Sequence, residues 1–476
     1  MKKTSVFLGG VCALIGTLGA LTLAKTLKTP AKKSEWTPKG EDERLNQKLA
    51  AMIQAETIST PHVYEKEKFD RFHDVLKELF PKTFKTLDVT EIDGNLLLHW
   101  KGLSDERPLV LMSHQDVVPA EGDWIEPPFS GAVKDGKIWG RGAADTKCSL
   151  MAFFEAVEQL IAQGYVPEQD LYLSSSCTEE WAGDGCPKLV EELKRHSVKP
   201  FLVVDEGGGI ISDPIAGIKG NFAMVGLFEK GKADVIFTAR SDGGHASAPG
   251  RHTPIDRLAA FIQDVNNCKE IRVEMEPEVR GMFEKLAPYA PFGMRYLFSN
   301  LWLFKPLILK VLPMVSAQAG AMLKTTIAFT QMQGSQACNV LPECAWVGAN
   351  IRYIPHQSER ETLALLEKLA ARHDLSMEIV HSSDYTKPVD QNGEAFKLVE
   401  KTIETVFPGL PVAPYVMTGA TDASFYQAIC DSCVRFAPVV YGPEQMKGMH
   451  GVNETIETAS LPGAVEFYKE LIKGNH

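Results

Sequence analysis

Apolar positions along this chain alternate between two periods. "PLVLMSH" (108–114), "DLYLSSSCTEE" (170–180) and "PFLVVDEGGG" (200–209) are short apolar runs bounded by polar or glycine residues, and they read as strands. Between them, "SLMAFFEAVEQLIAQG" places Leu150, Phe153, Phe154, Val157, Leu160 and Ile161 on one helical face and stops at Gly164. "CPKLVEELKRH" (186–196) is a second, shorter helix. Strands alternating with helices in this way predict a mostly parallel α/β sheet.

Around Gly217–Phe222 the pattern changes. "GNFAMVGLFEKGKADVIFTAR" (220–240) alternates as antiparallel strands do, and "TPIDRLAAFIQDV" (253–265) is helical. Strands at 325–334 and 344–355, a helix at 358–373 and a strand at 376–383 follow. These predict an α+β unit with helices on one face of its sheet. After Asp384 the first style resumes and ends on the helix "LPGAVEFYKELIKG". The expectation is a larger α/β domain (46–218 and 384–476) with a smaller domain (219–383) inserted into it.

At 476 residues the chain is too long for one ordinary core. The composition, 44% hydrophobic and 23% charged, is that of a globular protein. A formal charge of −11, with no long basic run beyond the N-terminus, argues against nucleic acid as a partner. Nine scattered cysteines do not suggest a disulfide framework, and the CxxC pair Cys430/Cys433 lacks the second pair a zinc site needs.

Two apolar stretches stand apart. Lys2 and Lys3 precede Thr4–Ala24, which is free of charge and about as long as the ~17–25 residues of a membrane span. It reads as an uncleaved anchor (1–24) followed by a Lys-, Pro- and Glu-rich tether (25–45). The other reading is a cleaved signal, with "TLA" before Lys25 as the cleavage site, which would make the protein secreted. The second stretch, Pro291–Val315, carries Pro306 and Pro313 and is too interrupted for a spanning helix. It reads as packing of the insert or a dimer contact, or else as a greasy wall for an acyl chain or the bilayer surface.

Chemistry concentrates where the strands end. His114 and Asp116 follow one strand, Glu179 and Glu180 a second, Asp205 and Glu206 a third. Open α/β sheets bind ligands beyond such carboxyl ends. Asp145 lies in the glycine-rich "WGRGAADTK", and His450 in "KGMHGVNE". Converging, these groups would repel one another unless cations neutralised them. Carboxylates with two imidazoles suit zinc, or else manganese or cobalt. His114 would then bind metal while the Asp116 carboxylate orients its ring.

The strings "HQDVVP", "FSGAVKDGKIWGRGAADTK", "CTEEWAGDG", "VVDEGGG", "GGHASAP", "NVLP" and "GMHGVNE" occur in an order that resembles the M20 family of metallopeptidases. Within it, the chain resembles the carboxypeptidase S and N-acyl-amino-acid hydrolase branch, from about residue 45 to the end. The resemblance implies a catalytic domain with an inserted lid and dimerisation domain, hence a homodimer, and a co-catalytic pair of Zn2+ ions. Asp145 would bridge them, with His114 and Asp205 completing one site and Glu180 and His450 the other. It further implies Glu179 as general base and His245 as the group that stabilises the oxyanion, often across a dimer. Asn339 and Arg352 would bind the substrate's α-carboxylate, with Gly419 and Thr421 in a loop beside it. Thr146 and Cys148 depart from the branch, which commonly has an acid and a small residue there; neither change removes a ligand.

The reaction so implied is cleavage of an amide next to a free α-carboxylate, in a small peptide. The alternative substrate is a long-chain N-acyl amino acid, handled in either direction. A reading of another class is a non-catalytic, membrane-tethered binding or dimerisation protein. That reading predicts lost ligands, and none is lost.

Overall fold

The computed structural model describes residues 18–476. Its centre is an eight-stranded sheet in the order Asp88–Ile92, Asn95–Trp100, Gln169–Ser175, Ser104–Met112, Leu202–Ser212, Cys433–Tyr441, Asn221–Glu229, Val412–Met417. The four central strands, from Gln169–Ser175 to Cys433–Tyr441, run parallel, and antiparallel pairings flank them. Central parallel strands are covered on both faces, which is why they read as continuous apolar runs. The Lys147–Ala162 helix is buried on nearly every side because it packs against the C-terminal helix Leu461–Gly474 and the sheet. Its Phe154 meets Phe80, and its Phe153 meets the Tyr468 ring edge-on.

The inserted unit is a four-stranded antiparallel sheet in the order Thr326–Gln333, Cys344–Tyr353, Gly231–Arg240, Ser376–Ser383. Helices Pro254–Asn266 and Glu359–Arg372 pack on it around Phe237, Phe261, Val347 and Leu366. The segment expected to open this insert, Asn221–Glu229, instead runs in the large sheet, parallel to Val412–Met417. Its Phe222, Met224 and Phe228 share an apolar cluster with Val279, Met282, Phe283 and Phe298, from helices that lie between Gly231–Arg240 and Thr326–Gln333 in the chain. The stretch 277–315 thus covers one edge of the large sheet rather than the small one.

Most of the segment expected as an anchor, residues 1–17, lies outside the described residues. Residues 18–28 are helical. They dock on the turn between helices Phe292–Ser299 and Leu301–Val315, where Asn300 Nδ2 donates to the Thr22 carbonyl (3.1 Å) and Thr26 Oγ1 (3.0 Å). The expected tether follows the surface: the Lys32 N–H donates to the Pro288 carbonyl, and Trp36 meets the Phe407 ring edge-on at 5.4 Å. Among the described residues no single helix is long and apolar enough to cross a membrane. The two helices 292–299 and 301–315 reach that length and composition only as a pair, bent by 114°.

Candidate active site

Each reactive side chain is delivered by the carboxyl end of a strand or by a tight loop beside it. His114 leaves Ser104–Met112, Glu179 and Glu180 form a single 3-10 turn after Gln169–Ser175, and Glu206 stands within Leu202–Ser212. That last strand passes the site on Gly207, whose φ of +95° suits glycine, and on Gly208, where a Cβ would run into the Arg435 carbonyl. Asp145 precedes the Lys147–Ala162 helix, and His450 sits after a short helix, Pro443–Gly448.

These groups make two donor sets that share one carboxylate. His114 Nε2 lies 3.1 Å from Asp145 Oδ1 and 3.7 Å from Glu206 Oε1. His450 Nε2 lies 3.0 Å from Asp145 Oδ2 and 2.9 Å from Glu180 Oε2. Within each set every donor atom is within 4.8 Å of the others. Glu179 Oε2, outside both sets, is 3.9 Å from His114 Nε2. Such a shared carboxylate fits two adjacent cations, and the oxygen and imidazole donors fit hard or borderline divalent metals.

The electrostatics agree. Burial pushes the Glu179 and Glu206 carboxyls well above the usual range, and neighbouring acids push them further. Burial alone would raise Asp145 too, but hydrogen bonds from His114 and His450 outweigh it and lower that carboxyl. Bonds to Asp145 and Glu180 raise His450 to about 10. Without metal, protons must do the neutralising that cations would do.

Several roles differ from those expected. The His114 ring places Nδ1 against the Asp116 carbonyl at 2.9 Å, leaving Nε2 toward Asp145. The Asp116 carboxylate stands farther off, at 3.5 Å, and accepts the backbone N–H groups of Glu179 (3.2 Å) and Glu180 (3.1 Å). It therefore fixes the turn that aims both glutamates. Asp205, expected beside His114, stands outside both donor sets; its oxygens accept from the Glu206 and Ala423 amides at 2.8 Å each. Adjacent strand residues point to opposite faces, so only one of the pair can face His114. Periodicity alone does not tell which.

Sequence pattern assigns Glu454 no role, although "HGVNE" contains it. It is fully buried, pairs with Arg141 Nη1 at 2.6 Å, and accepts the amides of Ala144 (2.8 Å) and Asp145 (3.0 Å). It positions the shared carboxylate from behind. Glu229 does similar work for the 419–421 loop: it pairs with buried Arg435 at 2.7 Å and accepts the Thr421 amide and hydroxyl. Thr421 lines the cavity, but its hydroxyl is already engaged.

A cavity of about 1890 Å³ takes in Asp145, Glu179, Glu180, Glu206 and His450, and also Gly419, Thr421 and Arg352. Its apolar wall includes Leu297, Leu307, Ile308, Val311 and Val315. His245 and Asn339 do not line it. They sit together on the insert, where Gly244–His245 pairs with Val340–Leu341, and His245 is exposed.

Residues 110–474 match the family model for Peptidase family M20/M25/M40. The chain belongs to that family. This M20 chain is 32% identical over 447 residues to the probable carboxypeptidase S-like 2 of Dictyostelium discoideum, covering 91% of this chain and 85% of that one. It is also 32% identical over 405 residues to the human N-fatty-acyl-amino acid synthase/hydrolase PM20D1, covering 84% and 80%. In fold it resembles the M20 metallo-carboxypeptidase Sso-CP2 of Sulfolobus solfataricus, with a TM-score of 0.68 at 19% identity, covering 91% and 99%. The Bacillus subtilis YXEP protein, a dinuclear metal binding M20 peptidase, matches with a TM-score of 0.56 at 13% identity, covering 90% and 98%. The M20 chain is therefore an enzyme, a hydrolase of the metallopeptidase and amidohydrolase type, and two candidate metal-ligand groups in it share Asp145.

Proposed function

We propose that this M20 enzyme hydrolyses the amide bond of long-chain N-acyl amino acids, and that it holds two zinc ions. The observation that carries the substrate class is the shared cavity: the apolar wall from 297 to 315 and the acidic metal-ligand groups face the same space. An acyl chain gains about 0.8 kcal/mol per methylene buried against such a wall.

His114, Asp145 and Glu206 would hold one ion, and Asp145, Glu180 and His450 the other. The ions would supply Lewis acidity and lower the pKa of a bound water. Glu179, beside His114 and outside both donor sets, takes the proton of the attacking water and delivers it to the leaving amine. Arg352 lines the cavity, half-buried, and offers its guanidinium to the substrate's α-carboxylate. His245 is exposed on the insert, as expected of a group that completes the neighbouring subunit's site in a homodimer.

A substrate panel tests the reading: long-chain N-acyl amino acids against dipeptides, each with and without chelator. Turnover of the acyl substrates, lost with chelator, is expected. Turnover of dipeptides alone would overturn the acyl assignment.

A further inference from the structure

We infer that the surface formed by residues 18–28 and the helices Phe292–Ser299 and Leu301–Val315 docks on an anionic lipid surface, with the cavity opening beside it. The helix 18–28 is inside out for a protein in water. Its threonines, Thr22 and Thr26, are buried against Asn300 and Tyr296, while Leu21, Leu23 and Leu27 are 59%, 43% and 68% exposed. The bent pair continues the pattern, with Phe292, Trp302, Met314 and Val315 all exposed. An exposed apolar surface whose threonine hydroxyls are bonded inward matches the boundary of a bilayer. Pro306, Pro313 and the 114° bend suit helices lying in the plane of that boundary rather than crossing it.

Charge selects the occupant. Residues 18–33 and 291–315 contain Lys25, Lys28, Lys32, Lys33, Arg295, Lys305 and Lys310 and no acid, in a chain of net charge −11. None of these cations has an acidic partner among the described residues. A second copy packed on this same face about a two-fold axis would bring cations against cations; anionic headgroups complement them. Trp302 adds an aromatic group suited to the headgroup level.

The outer face and the cavity share side chains: Leu307, Val311 and Val315 are exposed and also line the cavity that contains Glu180 and His450. Resting on the acyl-amide reading above, this arrangement lets an acyl chain pass from a leaflet to the metal-ligand groups along one helix.

The test uses the full chain with vesicles of zwitterionic and anionic lipids carrying brominated acyl chains, which quench nearby tryptophan. Quenching of the wild type that disappears in Trp302→Phe is expected, as is roughly tenfold weaker binding of a Lys305→Glu, Lys310→Glu variant at low salt. Equal quenching of wild type and Trp302→Phe would overturn the inference, whether residues 1–17 alone hold the chain or a second copy covers Trp302. Hydrolysis of a short-chain N-acyl amino acid should be unchanged in Trp302→Phe. Quenching needs no turnover, so the docking surface and the hydrolase reading fail separately.

Discussion

Asp116 holds the backbone amide of Glu179 at 3.2 Å and presents its own carbonyl to the His114 ring. One residue thus orients an imidazole of the proposed metal site with its main chain and the proposed base with its side chain. Asp116→Ala keeps the carbonyl and removes the carboxylate. The expected result is a loss of about 10–100-fold in kcat, with a smaller change in zinc affinity. Equilibrium dialysis alongside kinetics separates the two effects.

Glu206 and Asp205 are neighbours with different surroundings. Glu206→Gln removes a donor from the His114 group and should leave one high-affinity metal per chain. Asp205→Asn should cost about 1–3 kcal/mol of stability by weakening its hold on backbone amides, with two metals retained. Metal analysis and thermal unfolding of the two variants check the assignment; the reverse outcome makes Asp205 the ligand.

In the metal-free enzyme, His450 is raised to about 10 by Asp145 and Glu180, so at neutral pH its ring carries a proton. Metal requires the neutral ring. Loading must therefore release protons, and affinity must rise with pH through the neutral range. Zinc titration calorimetry in buffers of different ionisation enthalpy measures this release directly, and a heat independent of buffer would refute it.

The Arg141–Glu454 pair is buried, with 2.6 Å between its charged atoms. Glu454→Gln strands a guanidinium and should cost about 3–5 kcal/mol, lowering Tm and loosening Asp145. Arg141→Met combined with Glu454→Gln should recover part of that stability but not the metal affinity, because the amides of Ala144 and Asp145 still lose a charged acceptor. Denaturant unfolding of the single and double variants tests the coupling.

The architecture is legible in the chain because apolar periodicity reports burial, and burial is what separates the parallel sheet from the half-exposed insert. His114, Asp145, Glu180 and His450 are legible for a different reason: strand ends and glycine-rich loops concentrate functional side chains. Glu206 is not distinguished from Asp205, since a two-residue period assigns opposite faces without saying which face is inward. Glu454 is hidden because an acid that binds amides behind a site looks like any loop acid. The strand 221–229 reads as part of the insert because its apolar partners come from helices that begin only at Pro277, and a local window cannot contain them.

The two oxygens of Asp145 face different imidazoles, Oδ1 toward His114 and Oδ2 toward His450, so two metal ions sharing it would lie on either side of one carboxylate. Anomalous diffraction at the zinc edge, from crystals grown with zinc, would locate both ions. Two peaks are expected, flanking the Asp145 carboxylate, one beside His114 and one beside His450. A single peak, or peaks away from Asp145, would contradict that arrangement.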